Sequence, residues 1–338
     1  MLLAVENVCI ETICAATSKN LVPIEERLKN LADAKKISRV KKSTGFESFS
    51  VVDEKICASD LCTLAAEKIF SETEINRADI RAVIFVSQMA DYFLPSTAHV
   101  LQARLNLPRE IAAFDVGLGC SGFVYGLYIA ASMIQTLPEG KILLLCGDTA
   151  TRKVFAGDIS AMSIFGDGGA AAVVSKCKGQ KIFFNIQSFG ELYENIIIRR
   201  GAFRNYLLVE NNSLDVAENF VAMDGVEVMK FSAQFVPPNL KDLLNFAAVK
   251  ISDVDKIFLH QANKLIVENI MLQLKLTPEK VPFTAKKFGN TSSASIPLSI
   301  SEVQGGGLSL LSGFGVGMSI ASALVDLSKL NCLPIEKL

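Results

Sequence analysis

The sequence has no tryptophan and only two histidines, and its 34 Lys+Arg against 35 Asp+Glu leave a net charge of −1. A balance this even withholds the basic field with which a dedicated nucleic-acid binder holds phosphates. The densest basic run, Lys35 to Lys42, reads as a solvated helix end or loop. Cysteines stand at 9, 14, 57, 62, 120, 146, 177 and 332, and no two have the Cys-x-x-Cys spacing of zinc and dithiol sites. Residues 1–30 lack the basic-then-apolar pattern of a secretory signal. The expected setting is a reducing cytosol, with most thiols serving as small buried hydrophobes. Low-complexity stretches are missing too. With 338 residues, half of them hydrophobic, disorder, collagen and coiled coil are excluded, and there is chain for roughly two units of ordinary domain size.

Two uncharged stretches, Val116 to Pro138 and Val303 to Val325, are long enough to span a bilayer. Glycines argue against it. Gly117, Gly119 and Gly122 crowd the start of the first, and Gly305 to Gly307, Gly313, Gly315 and Gly317 divide the second into turns and strands. What remains of the first, about Ser121 to Thr136, is apolar on every face and predicts a helix buried in a large core.

The chain also carries the same punctuation twice. Ala78 to Gln88 reads against Ser252 to Gln261, each an apolar strand ending in a polar loop. An amphipathic helix precedes each, around Ser59–Phe70 and Val226–Ala248, the second expected to break at Pro237-Pro238. A Gly/Ser-rich turn opening an uncharged helix follows each, at 117–122 and 289–295. Strand pairs at 141–146 and 169–174 correspond to 308–311 and 319–325. The expectation is an α/β fold of two duplicated halves, 1–178 and 179–338, joined near Ser175 to Lys181. Its two sheets would enclose a layer of buried helices.

Cys120, in Gly117-Leu118-Gly119-Cys120-Ser121-Gly122, stands where a buried helix begins, and the partial positive charge there is expected to lower the thiol pKa. His260 ends the apolar strand Ile257-Phe258-Leu259, a place where α/β enzymes present side chains. His99 reads as helical, in a packing or capping role. Asn290, in Gly289-Asn290-Thr291-Ser292, is the second-half counterpart of the cysteine turn. Cys120, His260 and Asn290 in matching elements make a candidate triad.

These segments resemble one family. Phe114 to Phe123, Phe165-Gly166-Asp167-Gly168-Gly169, His260-Gln261-Ala262-Asn263 and Gly289-Asn290-Thr291-Ser292, in that order, look like the β-ketoacyl-acyl-carrier-protein synthase III family of the thiolase superfamily. The resemblance implies a five-layer αβαβα fold and a homodimer that works on acyl and malonyl thioesters, with acyl carrier protein as a partner. Cys120 would take an acyl group. His260 and Asn290 would promote decarboxylation of a malonyl thioester, whose carbanion attacks the acyl-cysteine to give a 3-oxoacyl thioester. The backbone N–H groups of Cys120 and Val316 would form the acyl oxyanion hole. No metal, nicotinamide or flavin cofactor is called for.

The sequence also departs from the family. A Trp and an Arg that commonly hold the coenzyme A adenine are missing, the Arg position being Ile159, and an Arg-Thr-Gly segment reads Ser43-Thr44-Gly45. The expectation is a donor carried on a protein or another thioester, in a specialised pathway. Lys230, Asn263 and Lys264 are the expected substrate- or carrier-contacting residues. Leu94, where some members carry a chain-limiting Phe, suggests tolerance of acyl groups larger than acetyl. Two alternatives stay open: acyl transfer to a hydroxyl or amine with His260 as general base, and a non-catalytic partner that binds a carrier protein.

Overall fold

The computed structural model describes residues 1–205 and 216–338. Its frame is a set of strands: β1 (Leu2–Thr17), β2 (Ile80–Val86), β3 (Ala112–Val116), β4 (Lys141–Thr149), β5 (Asp167–Ser188), β6 (Lys256–Leu259), β7 (Leu308–Gly315) and β8 (Ser319–Asp326). The first half of β5 lies in the order β1–β5–β4–β2–β3, with β4, β2 and β3 mutually parallel. The second half of β5 lies in the order β5–β8–β7–β6, with β7 and β6 parallel. One strand order thus occurs twice, and the strand equivalent to β3 is missing from the second sheet. No linker separates the sheets, because β5 runs unbroken from one into the other.

Side-chain alternation then builds the layers. Ala82, Ile84 and Val86 face a central core that also takes Phe258, Leu311 and Ala323 from the second sheet. Val83 and Phe85 face the opposite way, into a second core. Ile257, Leu259 and Leu310 face a third. A strand covered on both sides must be apolar at every position, which is why these read as continuous hydrophobic runs.

Helices α1 (Ala34–Thr44), α2 (Ala58–Glu72), α3 (Thr97–Arg104), α4 (Gly122–Met133), α5 (Gly225–Ala247), α6 (Lys264–Gln273) and α7 (Ser295–Val303) complete the chain's main elements. Helices α4 and α7 fill the central layer, α2 and α3 cover the first sheet, and α5 and α6 cover the second. This is the five-layer αβαβα arrangement expected from the sequence. Among the described residues no helix is long and apolar enough to cross a membrane, and all eight cysteines are free. The basic run lies on α1, capped by Asp33 at its start and by Gly45 in a left-handed conformation at its end.

One expectation fails. Helix α5 does not break at Pro237-Pro238 but continues through both. A proline at 237 supplies no N–H to the Ala233 carbonyl one turn earlier. The Gln273 side chain, on α6, donates to that carbonyl at 3.1 Å instead. The ring of Pro237 is buried against the core while Pro238 faces solvent.

Truncating a fully buried central-layer residue tests this packing. Leu127→Ala on α4 should cost about 2–5 kcal/mol, read as a lower urea midpoint at unchanged slope.

Candidate active site

The parallel strands of both sheets point their carboxyl ends toward one place, and polar side chains collect there. Cys120 lies in the turn between β3 and α4, two residues before the first helical residue. His260 follows β6 directly. Asn290 precedes α7 and is tied to the first half of the chain: its N–H donates to the Ile164 carbonyl at 2.8 Å and its carbonyl accepts the Gly166 N–H at 2.9 Å. All three line one cavity of ≈ 90 Å³, together with Asp148, Ser292 and Val316. A single water needs about 10–15 Å³, so this is a chamber rather than a packing defect. Its remaining wall is largely apolar, including Ile164, Phe165, Met223, Val228, Ile266 and Phe314.

The approach of β7 to the cysteine depends on missing side chains. A Cβ on Gly315 would lie 2.9 Å from the Cys120 Cβ and 3.0 Å from its Sγ, and the backbone there has φ +145°. A Cβ on Gly313 would lie 2.7 Å from the Cys120 carbonyl oxygen. With both positions bare, Val316 comes against the sulfur, and the backbone N–H groups of Val316 and Cys120 and the Ser292 hydroxyl are near enough to favour its thiolate form.

Cys120 is 9% exposed. Burial pushes its thiol up to about 11, against the pull of these donors, and the nearby Asp148 carboxylate adds to the rise. The lowered pKa expected from the helix start is therefore overturned. Desolvation of a thiolate in an apolar chamber outweighs a partial charge at a helix end two residues away. Burial acts on His260 in the opposite sense, pushing it down to about 3, so its ring is neutral at physiological pH. Its Nδ1 lies 2.7 Å from the Ser295 Oγ, and its edge meets the Phe314 ring. The Asn290 Oδ1 accepts the Ser292 N–H at 2.9 Å, which leaves the amide NH₂ for the cavity.

The other expected residues are more scattered. Asn263 lines the cavity and caps α6, accepting the Ile266 N–H at 2.9 Å. Lys264, the next residue, is exposed and lies 3.6 Å from Glu268. Lys230 is exposed on α5 and pairs with Glu227 at 2.6 Å. Leu94 is a surface residue, 87% exposed beside the exposed Phe93. His99 is exposed on α3 with its Nδ1 2.6 Å from the Ser96 hydroxyl. Asp148, at the end of β4, received no role from the sequence. The signal that singled out His260, a polar residue closing an apolar strand, applies equally to Leu143-Leu144-Leu145-Cys146-Gly147-Asp148.

A family model for 3-oxoacyl-[acyl-carrier-protein] synthase III matches residues 114–190, and the model for the C terminal of the same synthase matches residues 244–327. A putative 3-oxoacyl-[acyl-carrier-protein] synthase 3 of Campylobacter jejuni is 34% identical over 333 residues, covering 95% of this chain and 94% of the relative. A β-ketoacyl-[acyl-carrier-protein] synthase III of Fusobacterium nucleatum is 30% identical, covering 85% and 89%. The crystal structure of a 3-oxoacyl-(acyl-carrier protein) synthase from Burkholderia xenovorans superimposes with TM-score 0.94 at 30% identity, covering 100% of this chain and 99% of that one.

Two outcomes follow from the geometry. Gly315→Ala should leave a folded protein by circular dichroism but strongly slow alkylation of Cys120 by iodoacetamide, because the added methyl cannot share space with the sulfur. The second concerns acid stability. Unfolded His260 takes up a proton near its ordinary 6.5, whereas the folded ring resists until about 3. The unfolded state therefore binds more protons between these values, and the stability this group contributes, full above about 6.5, is lost as pH falls toward about 3. His260→Asn should flatten that decline, read as urea midpoints across the window.

Proposed function

Because the chain belongs to the β-ketoacyl-acyl-carrier-protein synthase III family of the thiolase superfamily, we propose that it catalyses decarboxylative condensation of an acyl group held on Cys120 with a malonyl thioester. The observation carrying this reading is the convergence of Cys120, His260 and Asn290 on one largely apolar chamber that Val316 also lines.

The residue types suit two half-reactions. A thiolate attacks a thioester and later leaves from it, so the acyl-enzyme both forms and resolves. The N–H groups of Cys120 and Val316 are within reach of an oxygen developing on a carbonyl bound at that sulfur. In the second half-reaction the malonyl group loses carbon dioxide and negative charge gathers on its thioester oxygen. In the tautomer in which the Ser295 hydroxyl donates to Nδ1, His260 carries its proton on Nε2, and a neutral Nε2–H beside the Asn290 NH₂ forms a preorganised pair of donors.

A protein-borne donor is favoured by the surroundings. Ile159, at the position of the adenine-holding Arg, packs against an apolar cluster around Phe46 and Phe49. Two exposed lysines stand close in sequence to lining residues: Lys230 follows Val228 on the same helix, and Lys264 adjoins Asn263. Both suit an acidic carrier protein. The exposed run Tyr92-Phe93-Leu94, and the edge strand β3, which among the described residues pairs with β2 alone, support a homodimer.

Incubation with a series of acyl thioesters should give an adduct on Cys120 by intact mass, lost in Cys120→Ala, and addition of malonyl-acyl-carrier protein should release carbon dioxide and a 3-oxoacyl product. His260→Ala and Asn290→Ala should each keep the adduct while lowering carbon dioxide release by about 10²–10³. An adduct that passes to a hydroxyl or amine acceptor without gas release would replace condensation by simple acyl transfer.

A further inference from the structure

Asp148 is a buried ionisable group that the two half-reactions leave without a task. It stands at the end of β4, is 1% exposed and lines the chamber of Cys120. Its two oxygens serve different parts of the chain. Oδ1 accepts the Ser87 hydroxyl at 3.0 Å and the Gln88 N–H at 2.9 Å, directly after β2. Oδ2 accepts the Ser293 hydroxyl at 2.7 Å and the Ser293 N–H at 3.2 Å, two residues before α7. All four bonds bring a hydrogen to the carboxylate, which an ionised acid accepts without offering one in return. The side chain therefore pins the loop before α7 to the end of β2.

That loop carries Asn290. Its backbone is held on either side of Phe165, by Ile164 and Gly166. The aim of its amide is set further along the loop, because Oδ1 accepts the Ser292 N–H at 2.9 Å and so turns the NH₂ to the cavity. Ser292 sits at φ +52°, a left-handed conformation costly for serine. Such a residue relaxes unless its neighbours prevent it, and its neighbour Ser293 is fastened to Asp148 by both N–H and hydroxyl. With that fastening gone, Ser292 would return to an ordinary φ, its N–H would swing away from Oδ1, and the amide would rotate. The other members of the triad are held elsewhere. The Gly122 N–H closes the cysteine turn on the Gly119 carbonyl at 2.7 Å, and the Ser121 hydroxyl lies 2.8 Å from that of Ser319. The His260 N–H donates to the Ser312 carbonyl at 2.8 Å, and its ring meets Ser295.

We propose that Asp148 is a positioning residue: by clamping Ser293 to the end of β2 it holds Ser292 in its left-handed conformation and keeps the Asn290 amide aimed at the oxygen of a malonyl thioester. The proposal rests on the reading of Asn290 as a donor in decarboxylation. A carboxylate suits the task and an amide does not. An Asn at this position has one oxygen for two pairs of donors and turns an NH₂ on the other pair, which opens one side of the clamp. The effect falls on one half-reaction. Acylation uses the sulfur and the backbone around it, whereas decarboxylation needs the aimed amide, and a donor helps only while it points at the developing charge.

The test measures the half-reactions separately: acylation of Cys120 by rapid quench and intact mass, and carbon dioxide release from malonyl-acyl-carrier protein. Wild type, Asp148→Asn, Ser293→Ala, Asn290→Ala and the Asp148→Asn/Asn290→Ala double variant are compared. The carboxylate raises the thiol, so removing its charge should not slow acylation. The clamp requires Asp148→Asn to release carbon dioxide about 10-fold more slowly, in kcat with KM kept, a smaller loss than the about 10²–10³ of removing the amide itself. The double variant should be no slower than Asn290→Ala, since an absent amide has no aim to lose. Ser293→Ala removes one of the four bonds and keeps the charge. It should show a smaller loss in the same step, and it remains informative if Asp148→Asn folds poorly. Equal slowing of both half-reactions, or a double variant that shows the full product of the single effects, overturns the clamp and leaves Asp148 a general support of the fold. Undiminished carbon dioxide release in Asp148→Asn and Ser293→Ala, with faster acylation in Asp148→Asn alone, also overturns it and leaves the carboxylate acting on the thiol through charge. An acylated wild-type protein that releases no carbon dioxide overturns the clamp together with the reading of Asn290.

Discussion

The close approach of β7 to the cysteine turn is the constraint on which the rest of the site depends. Two bare glycines let a strand of the second sheet lie against a turn of the first, bringing its backbone up to the sulfur. A side chain at either glycine would crowd the cysteine turn just where strand and turn must touch. The continuous strand β5 serves the same end, because two sheets sharing one strand cannot shift far relative to each other. Preorganised donors act only while they stay aimed, and a frame of this kind holds them without a moving part.

Keeping reactive groups in an apolar layer between two sheets has an electrostatic consequence. The cysteine and histidine each resist ionisation, in opposite directions, so the resting chamber holds a neutral thiol and a neutral ring. A neutral histidine can donate a hydrogen bond to a growing negative charge without itself exchanging a proton. The thiol pays for its burial with a higher pKa, and a chamber built this way needs a proton acceptor close at hand. Asp148 is a buried carboxylate lining the same chamber, held by donors from Ser87, Gln88 and Ser293.

Much of the fold was legible in the sequence because its strands are buried on both faces and its turns are marked by glycine. Val83 to Val86 and Ile257 to Leu259 could only be covered strands, and the repeated order of elements follows from the repeated punctuation. Two features resisted. Where α5 continues through Pro237-Pro238, the Ala233 carbonyl is met by Gln273, a residue 40 positions away that no local pattern connects to it. The sign of the Cys120 shift depends on how completely the turn is buried, which is decided by the packing of both sheets.

The candidate triad was legible for a different reason: each member closes a strand or opens a helix in a conspicuous setting. Asp148 closes a strand as well, but its meaning lies in its partners. Ser87 and Gln88 come from the end of β2, and Ser293 from the loop that carries Asn290, so the carboxylate ties the cysteine's sheet to the asparagine's loop. Sequence reading recognises residues that belong to a pattern. It misses a buried charge whose donors are drawn from positions 87 to 293, because only the folded order of strands makes those positions neighbours. Its four hydrogen bonds hold those two segments against the strand end that carries it, so the charge joins parts of the site that lie far apart in sequence.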